Sequence, residues 1–172
     1  MNTTCTEIVI KNNMSGARIL TSASLLRSDD EDSNEVHLFV HVRLPDSSVE
    51  LGWVARYDSP YDVIVVNMQY LSCIQVAGMD HHIQSGTRSK KVIAIGRVFE
   101  TGKLMASSGD LTEKRNKLSC IDLRDPTCVI TKAGIGGPLM DFDGQFIGMN
   151  FYDTGQTPYL PGGKDSGDIE AI

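Results

Sequence analysis

Cysteine is sparse in this chain of 172 residues, and Cys5, Cys73, Cys120 and Cys128 stand apart with no C-x-x-C pair among them. That spacing argues against a zinc ribbon and against a disulfide framework, and leaves interior free thiols as the plain reading. No apolar run approaches the ~18 residues needed to cross a bilayer as a helix. The opening MNTTCTEIVIKNN lacks the basic start and apolar stretch of a secretory signal. A soluble, intracellular protein with no membrane partner is expected, its organelle unspecified. Positive charge is also in deficit: 16 Lys and Arg face 22 Asp and Glu, for a net charge of −6. With no basic stripe interleaved with aromatics, nucleic acid is not an expected partner. The acidic run Ser28 to Glu35 lacks the sixth-position glycine and late glutamate of a calcium loop, and His81-His82 has no carboxylate or thiol at ligand spacing. Neither a metal nor any other cofactor is expected.

Helical periodicity is missing too, apart from a short polar stretch at Glu113 to Leu118. What fills the chain is strand alternation. Val36, Leu38, Val40, Val42 and Leu44 occupy every second position, so they share one face while His37, His41 and Arg43 point the other way. Val49, Leu51, Trp53, Ala55 and Tyr57 alternate again, and the turn-like Pro45-Asp46-Ser47-Ser48 joins the two runs as a hairpin. Short apolar runs follow at Val63 to Val66, Leu71 to Val76, Val92 to Ile95, Cys128 to Thr131 and Leu139 to Phe142. After Phe142, Asp143-Gly144 marks a tight hairpin. Many short strands without helices predict an all-β sandwich or barrel.

Three segments carry chemistry, in a telling order: Ile19-Leu20-Thr21-Ser22-Ala23-Ser24; Asp62-Val63-Ile64-Val65-Val66; and Ala133-Gly134-Ile135-Gly136-Gly137-Pro138-Leu139. Together they resemble trypsin-like serine proteases, most closely the Do-like or HtrA branch, over about residues 6 to 153. In that family the segments run apolar-Leu-Thr-Ala-Ala-His, Asp-apolar-Ala-apolar-apolar and Gly-Asn-Ser-Gly-Gly-Pro-Leu. The resemblance implies two antiparallel β-barrels of six strands each. An N-terminal barrel subdomain would span residues 1–80, a C-terminal one 81–157, and a loose tail 158–172. The family's first and last strands, and the C-terminal peptide-binding module of many Do-like proteins, find no counterpart. A barrel missing a strand would have an open edge, which invites pairing with another chain.

Carried over one position at a time, the general-base histidine falls on Ser24, the orienting aspartate on Asp62 and the nucleophile on Ile135. Isoleucine has no nucleophilic atom, and a serine hydroxyl is a very weak base near neutral pH. The oxyanion loop would be Ala133, Gly134, Ile135, Gly136 and Gly137, with Ala133 standing where the family has glycine. No cysteine occupies that loop. Cys128 lies upstream, and His37 and His41 sit on a strand away from Ser24, so rescue of the chemistry is not expected. The sequence therefore points to a catalytically inactive homologue that binds an extended polypeptide by strand addition, and it leaves room for a homo-oligomer. The alternative is a serine-type endopeptidase with residual or non-standard catalysis. Asp62, without an imidazole to orient, should take its hydrogen bonds from the Ser24 hydroxyl or nearby backbone N–H groups.

Overall fold

Alternating and continuous apolar runs become ten short strands in a computed structural model that describes residues 4–26, 39–72, 74–78, 91–112, 123–152 and 157–162. The first sheet contains β1 (Ile8–Asn13), β2 (Gly16–Ser22), β3 (Phe39–Arg43), β4 (Val49–Asp58) and β5 (Val63–Met68), ordered β1-β2-β5-β4-β3. The second contains β6 (Lys91–Arg97), β7 (Leu104–Asp110), β8 (Pro138–Asp141), β9 (Phe146–Asn150) and β10 (Tyr159–Pro161), ordered β10-β9-β8-β6-β7. Every pairing is antiparallel. The fold class is as expected, all-β in two antiparallel sheets. Each sheet has five strands among the described residues rather than six, and neither closes on itself by strand pairing.

Strand β5 explains how the sheets hold together. Its continuous run Val63-Ile64-Val65-Val66 is at most 1% exposed, because both of its faces are covered. Ile64 and Val66 pack inward against Ala17, Ile19 and Val42. Val63 and Val65, with Ile8 and Leu20, meet Leu123, Met149, Phe151 and Leu160 from the second half of the chain. A third cluster, built on Val92, Leu139, Ile147 and Tyr159, lies within the second sheet.

Several expectations need correction. The loose tail expected from residue 158 is ordered structure at its start: Tyr159–Pro161 pairs with β9, and Tyr159 and Leu160 are buried, so an apolar last strand is present. Tyr-Leu-Pro is too short to carry an alternation signal. The described residues of Leu71 to Val76 form no strand; they lie along β1, where Ala77 N–H donates to Val9 O at 2.8 Å and the Asn12 amide clasps Leu71 O at 2.7 Å. The β1 edge is therefore met by this segment and not left open. Cys128 to Thr131 is likewise no strand. Its stretch instead touches both rims of the second sheet, through a bridge between Arg124 and Tyr159 at β10 and a bond from Thr127 N–H to Asp110 O at β7. Strand β7 carries Ser, Gly and Ala at most positions and shows no apolar period, which hid it in the sequence.

Strand β4 was legible, but its apolar register faces out. Gly52 is buried and Val54 half-buried toward the inner core, whereas Val49, Leu51 and Trp53 are 50%, 52% and 42% exposed. The reason is space: a Cβ on Gly52 would come within 2.5 Å of Val66 Cγ1, so the inner side of β4 has no room for large side chains. Strand β3 begins at Phe39, and Val36 to Leu38, the acidic run, His81-His82, Glu113 to Leu118 and the subdomain boundary at residue 80 lie outside the described residues. Among the described residues no helix is long and apolar enough to cross a membrane. Leu20 is fully buried between the sheets, so Leu20→Ala should cost about 3 kcal/mol in urea unfolding. Leu51→Ser, on the exposed face, should stay within about 0.5 kcal/mol of the parent in the same titration.

Candidate functional site

The two sheets meet along a seam where the polar ends of apolar strands collect. Strand β2 ends in the buried Thr21 and Ser22, and a short 3-10 turn, Ala23–Leu26, then presents Ser24. Asp62 precedes β5 with a left-handed φ of 54°, and its carbonyl accepts from Ala23 N–H at 2.8 Å, which ties the two segments together. Ser22 Oγ lies 3.0 Å from Asp62 Oδ2 and 2.7 Å from Ser24 Oγ. Ser24 Oγ is in turn 3.6 Å from Cys5 Sγ. A carboxylate only accepts, so the Ser22 hydroxyl donates to Asp62, the Ser24 hydroxyl donates to Ser22, and the Cys5 thiol donates to Ser24. Each hydroxyl proton is committed in the direction of Asp62. The expected donors to Asp62 were the Ser24 hydroxyl or nearby backbone N–H groups; the Ser22 hydroxyl donates to it, and Ser24 reaches it through Ser22.

The loop that frames Ile135 folds as a second 3-10 turn, Lys132–Gly134. Ile135 N–H donates to Lys132 O at 3.1 Å, and Gly137 N–H to Gly134 O at 3.1 Å. Positive φ among described non-glycine residues is confined to Ser47 and Asp62, so Ala133 occupies this turn without backbone strain. Thr6 then fixes the turn from outside. Its N–H donates to Ile135 O at 2.7 Å and its hydroxyl to Ala133 O at 2.5 Å. The same hydroxyl accepts from Arg97 N–H at 2.8 Å, while Thr6 O accepts from the Thr21 hydroxyl at 2.7 Å. Gly136 has φ +78°, and a Cβ there would fall 2.3 Å from Thr6 O and 3.0 Å from Ser22 N. That position therefore needs glycine whether or not the loop performs chemistry.

The structure thus brings Ser24 and Asp62 together through Ser22, and sets the loop of Ala133, Gly134, Ile135, Gly136 and Gly137 against the same seam through Thr6. His41 is exposed on β3, and Cys128 is buried in the second sheet with Sγ 3.8 Å from Val92 O, so neither joins it. Cys5, Thr6 and Ser22 were missed by sequence reasoning. Their signal was polar residues abutting the apolar ends of β1 and β2, where a buried polar group needs a partner. Burial pushes the Cys5 thiol up to about 11, against the Ser24 hydroxyl, which can turn to donate to the thiolate, with the negative charges of Asp62 and Glu7 adding to the rise. Glu7 is pushed up to about 7, also by burial, against the pull of the Arg97 guanidinium. No grouping of His, Cys, Asp and Glu among the described residues could hold a metal ion.

Comparison with known proteins fits this geometry. The family model described as trypsin-like peptidase domain matches residues 5–149. Among solved structures, the MamO protease domain from Magnetospirillum magneticum, in its apo form, superposes with a TM-score of 0.72 at 17% identity, over 96% of this chain and 86% of that one. Two structures of the HtrA-type protease AlgW with a decapeptide give TM-scores of 0.68 and 0.67 at 19% and 18% identity. These cover 89% of this chain but only 46% and 47% of the AlgW chains. At such identities the likeness carries the fold alone. No curated protein matches.

Two outcomes follow from the shifted groups. Iodoacetamide should alkylate Cys5 slowly at pH 8 and faster as pH rises toward 11, read by mass spectrometry of the Cys5 peptide. For Glu7 the folded-state value lies above the unfolded one, so its stabilising contribution is present below the ordinary glutamate range and is lost as pH rises through about 7. Glu7→Gln should therefore leave stability at pH 4 nearly unchanged and raise it by about 2 kcal/mol at pH 8 in chemical denaturation.

Proposed function

This chain belongs to the trypsin-like peptidase domain family, and from that premise we propose that it is a non-catalytic member, which holds an extended polypeptide instead of cleaving it. The observation that carries this reading is the Ile135 N–H bonded to Lys132 O within the 3-10 turn. Acyl transfer needs a nucleophile, a base and N–H donors aimed at the developing oxyanion. At the nucleophile position stands a saturated hydrocarbon. The base position holds a hydroxyl whose proton is committed to Ser22, and a principal oxyanion donor is spent inside its own turn. Three separate requirements fail at one seam, so no single replacement restores the chemistry.

Cys5 has a nucleophilic atom beside Ser24, but a thiol pushed up to about 11 is almost wholly protonated near neutral pH, and among the described residues no imidazole stands beside it. Ligand binding makes weaker demands than catalysis. An extended segment needs free backbone groups and a firm wall, not a reactive atom. AlgW, of similar fold, is seen with a decapeptide, and that likeness supports the same class of ligand here.

A fluorophosphonate probe, which labels only an activated serine, tests the reading. No labelling of the purified protein is expected, and clear labelling would overturn it. The double variant Ser24→His with Ile135→Ser should remain nearly unlabelled. Adding Ala133→Gly, which frees the turn to open, should raise labelling by about 100-fold.

A further inference from the structure

The outward side of β3 and β4 carries an unusual combination of residues, and at one end of it Arg43 Nη1 donates to Glu100 O of the second half of the chain at 3.0 Å. Cross-strand pairs Phe39–Trp53, His41–Leu51 and Arg43–Val49 place all six side chains on one face. Phe39 is 61% exposed, Leu51 52% and Trp53 42%. Three half-exposed aliphatic or aromatic neighbours are normal singly, but a contiguous set marks an interaction surface. One row continues across the sheet as Phe39, Trp53, Asn67, Arg18 and Lys11, each the register partner of the one before. On this face the charged side chains of that row and of the Arg43–Val49 pair, Lys11, Arg18 and Arg43, are all cationic, in a chain whose net charge is −6, while the exposed Glu50, paired with Val42, alternates to the other face of β4. Two of the three buried side-chain polar atoms without a partner among the described residues, Arg43 Nε and Asn67 Oδ1, also belong to this face. Strand β3 is the rim of its sheet, pairing with β4 alone among the described strands.

We propose that this face is a docking surface for an extended, acidic segment of another protein, which adds to the β3 rim and lays alternate apolar and acidic side chains against Phe39 and against His41 and Arg43. Side chains of an added strand alternate between faces, so residues opposite Phe39, His41 and Arg43 would be spaced two apart. An apolar residue there meets Phe39 and Trp53. Acidic residues at the next two positions on that face meet His41 and Arg43. The charge pattern selects the occupant: a second copy docking the same face by two-fold symmetry would set one cationic face against another, whereas an acidic segment complements it. Its occupation needs no particular outcome at Ser24, Asp62 or the loop of Ile135.

Trp53 is the chain's one tryptophan, so its emission reports directly on the face. The probe is a short synthetic peptide with Asp, Asp and Leu at alternate positions and Thr between them, compared with a control in which Lys replaces Asp. Titration of the acidic peptide should shift Trp53 emission saturably and slow amide exchange in β3, while the Lys control should leave both unchanged. His41→Glu and Leu51→Ser should each weaken the acidic peptide by about tenfold, with far-UV circular dichroism and melting unchanged. No emission change with the acidic peptide, or equal response to both peptides, overturns the proposal. An emission shift that depends on protein concentration without peptide assigns the face to a second copy and overturns it as well.

Discussion

Thr6 is the joint on which the seam depends. A single residue donates from its backbone to Ile135 O and from its hydroxyl to Ala133 O, and accepts from Arg97 and from Thr21. These four bonds tie the entry of β1 to β2, to β6 and to the loop before β8. Because Thr6 is buried, losing its hydroxyl would strand the Ala133 carbonyl and the Arg97 N–H, each at the cost of an unsatisfied buried group. The loop is thus held in place by the first sheet, and its own internal bonds decide which way its N–H groups point.

The same constraint separates ancestry from chemistry at the loop. Gly136 is required because Thr6 O and the Thr21 hydroxyl crowd the space a Cβ would take, and Gly137 because Ile95 O does the same at 2.2 Å. These glycines persist for packing reasons that hold equally in an active or an inactive protein. Ala133 and Ile135 are free of that demand. Alanine at 133 favours a turn of helical sign over one needing glycine, and the turn consumes the Ile135 N–H.

Much of this was legible in the sequence, and what was hidden was hidden for physical reasons. Strand β5 stood out as a continuous apolar run, and its burial on two faces follows from serving two cores at once. Ser24, Asp62 and the loop were expected in one cleft from the family resemblance of their segments; the structure joins Ser24 to Asp62 through Ser22 and ties the loop to Thr6. Ser22 was not, because a serine next to a motif position looks like solvent-facing filler until the geometry shows its hydroxyl under Asp62. The direction in which β4 faces was unreadable as well: alternation gives a period, and only the close approach of Val66 to Gly52 gives its phase. Strands β7 and β10 lacked the apolar spacing that pattern reading needs, and were held by register with their neighbours instead.

Amide hydrogen exchange at Ile135, followed by NMR, tests most directly whether the loop has given up its oxyanion-binding role. With its N–H bonded to Lys132 O, the Ile135 amide should exchange far more slowly than a free loop amide and should not shift when a phosphonate oxyanion mimic is added. Rapid exchange at Ile135, together with a saturable shift of that amide on adding the mimic, would mean an open and functional oxyanion loop and would contradict the non-catalytic reading.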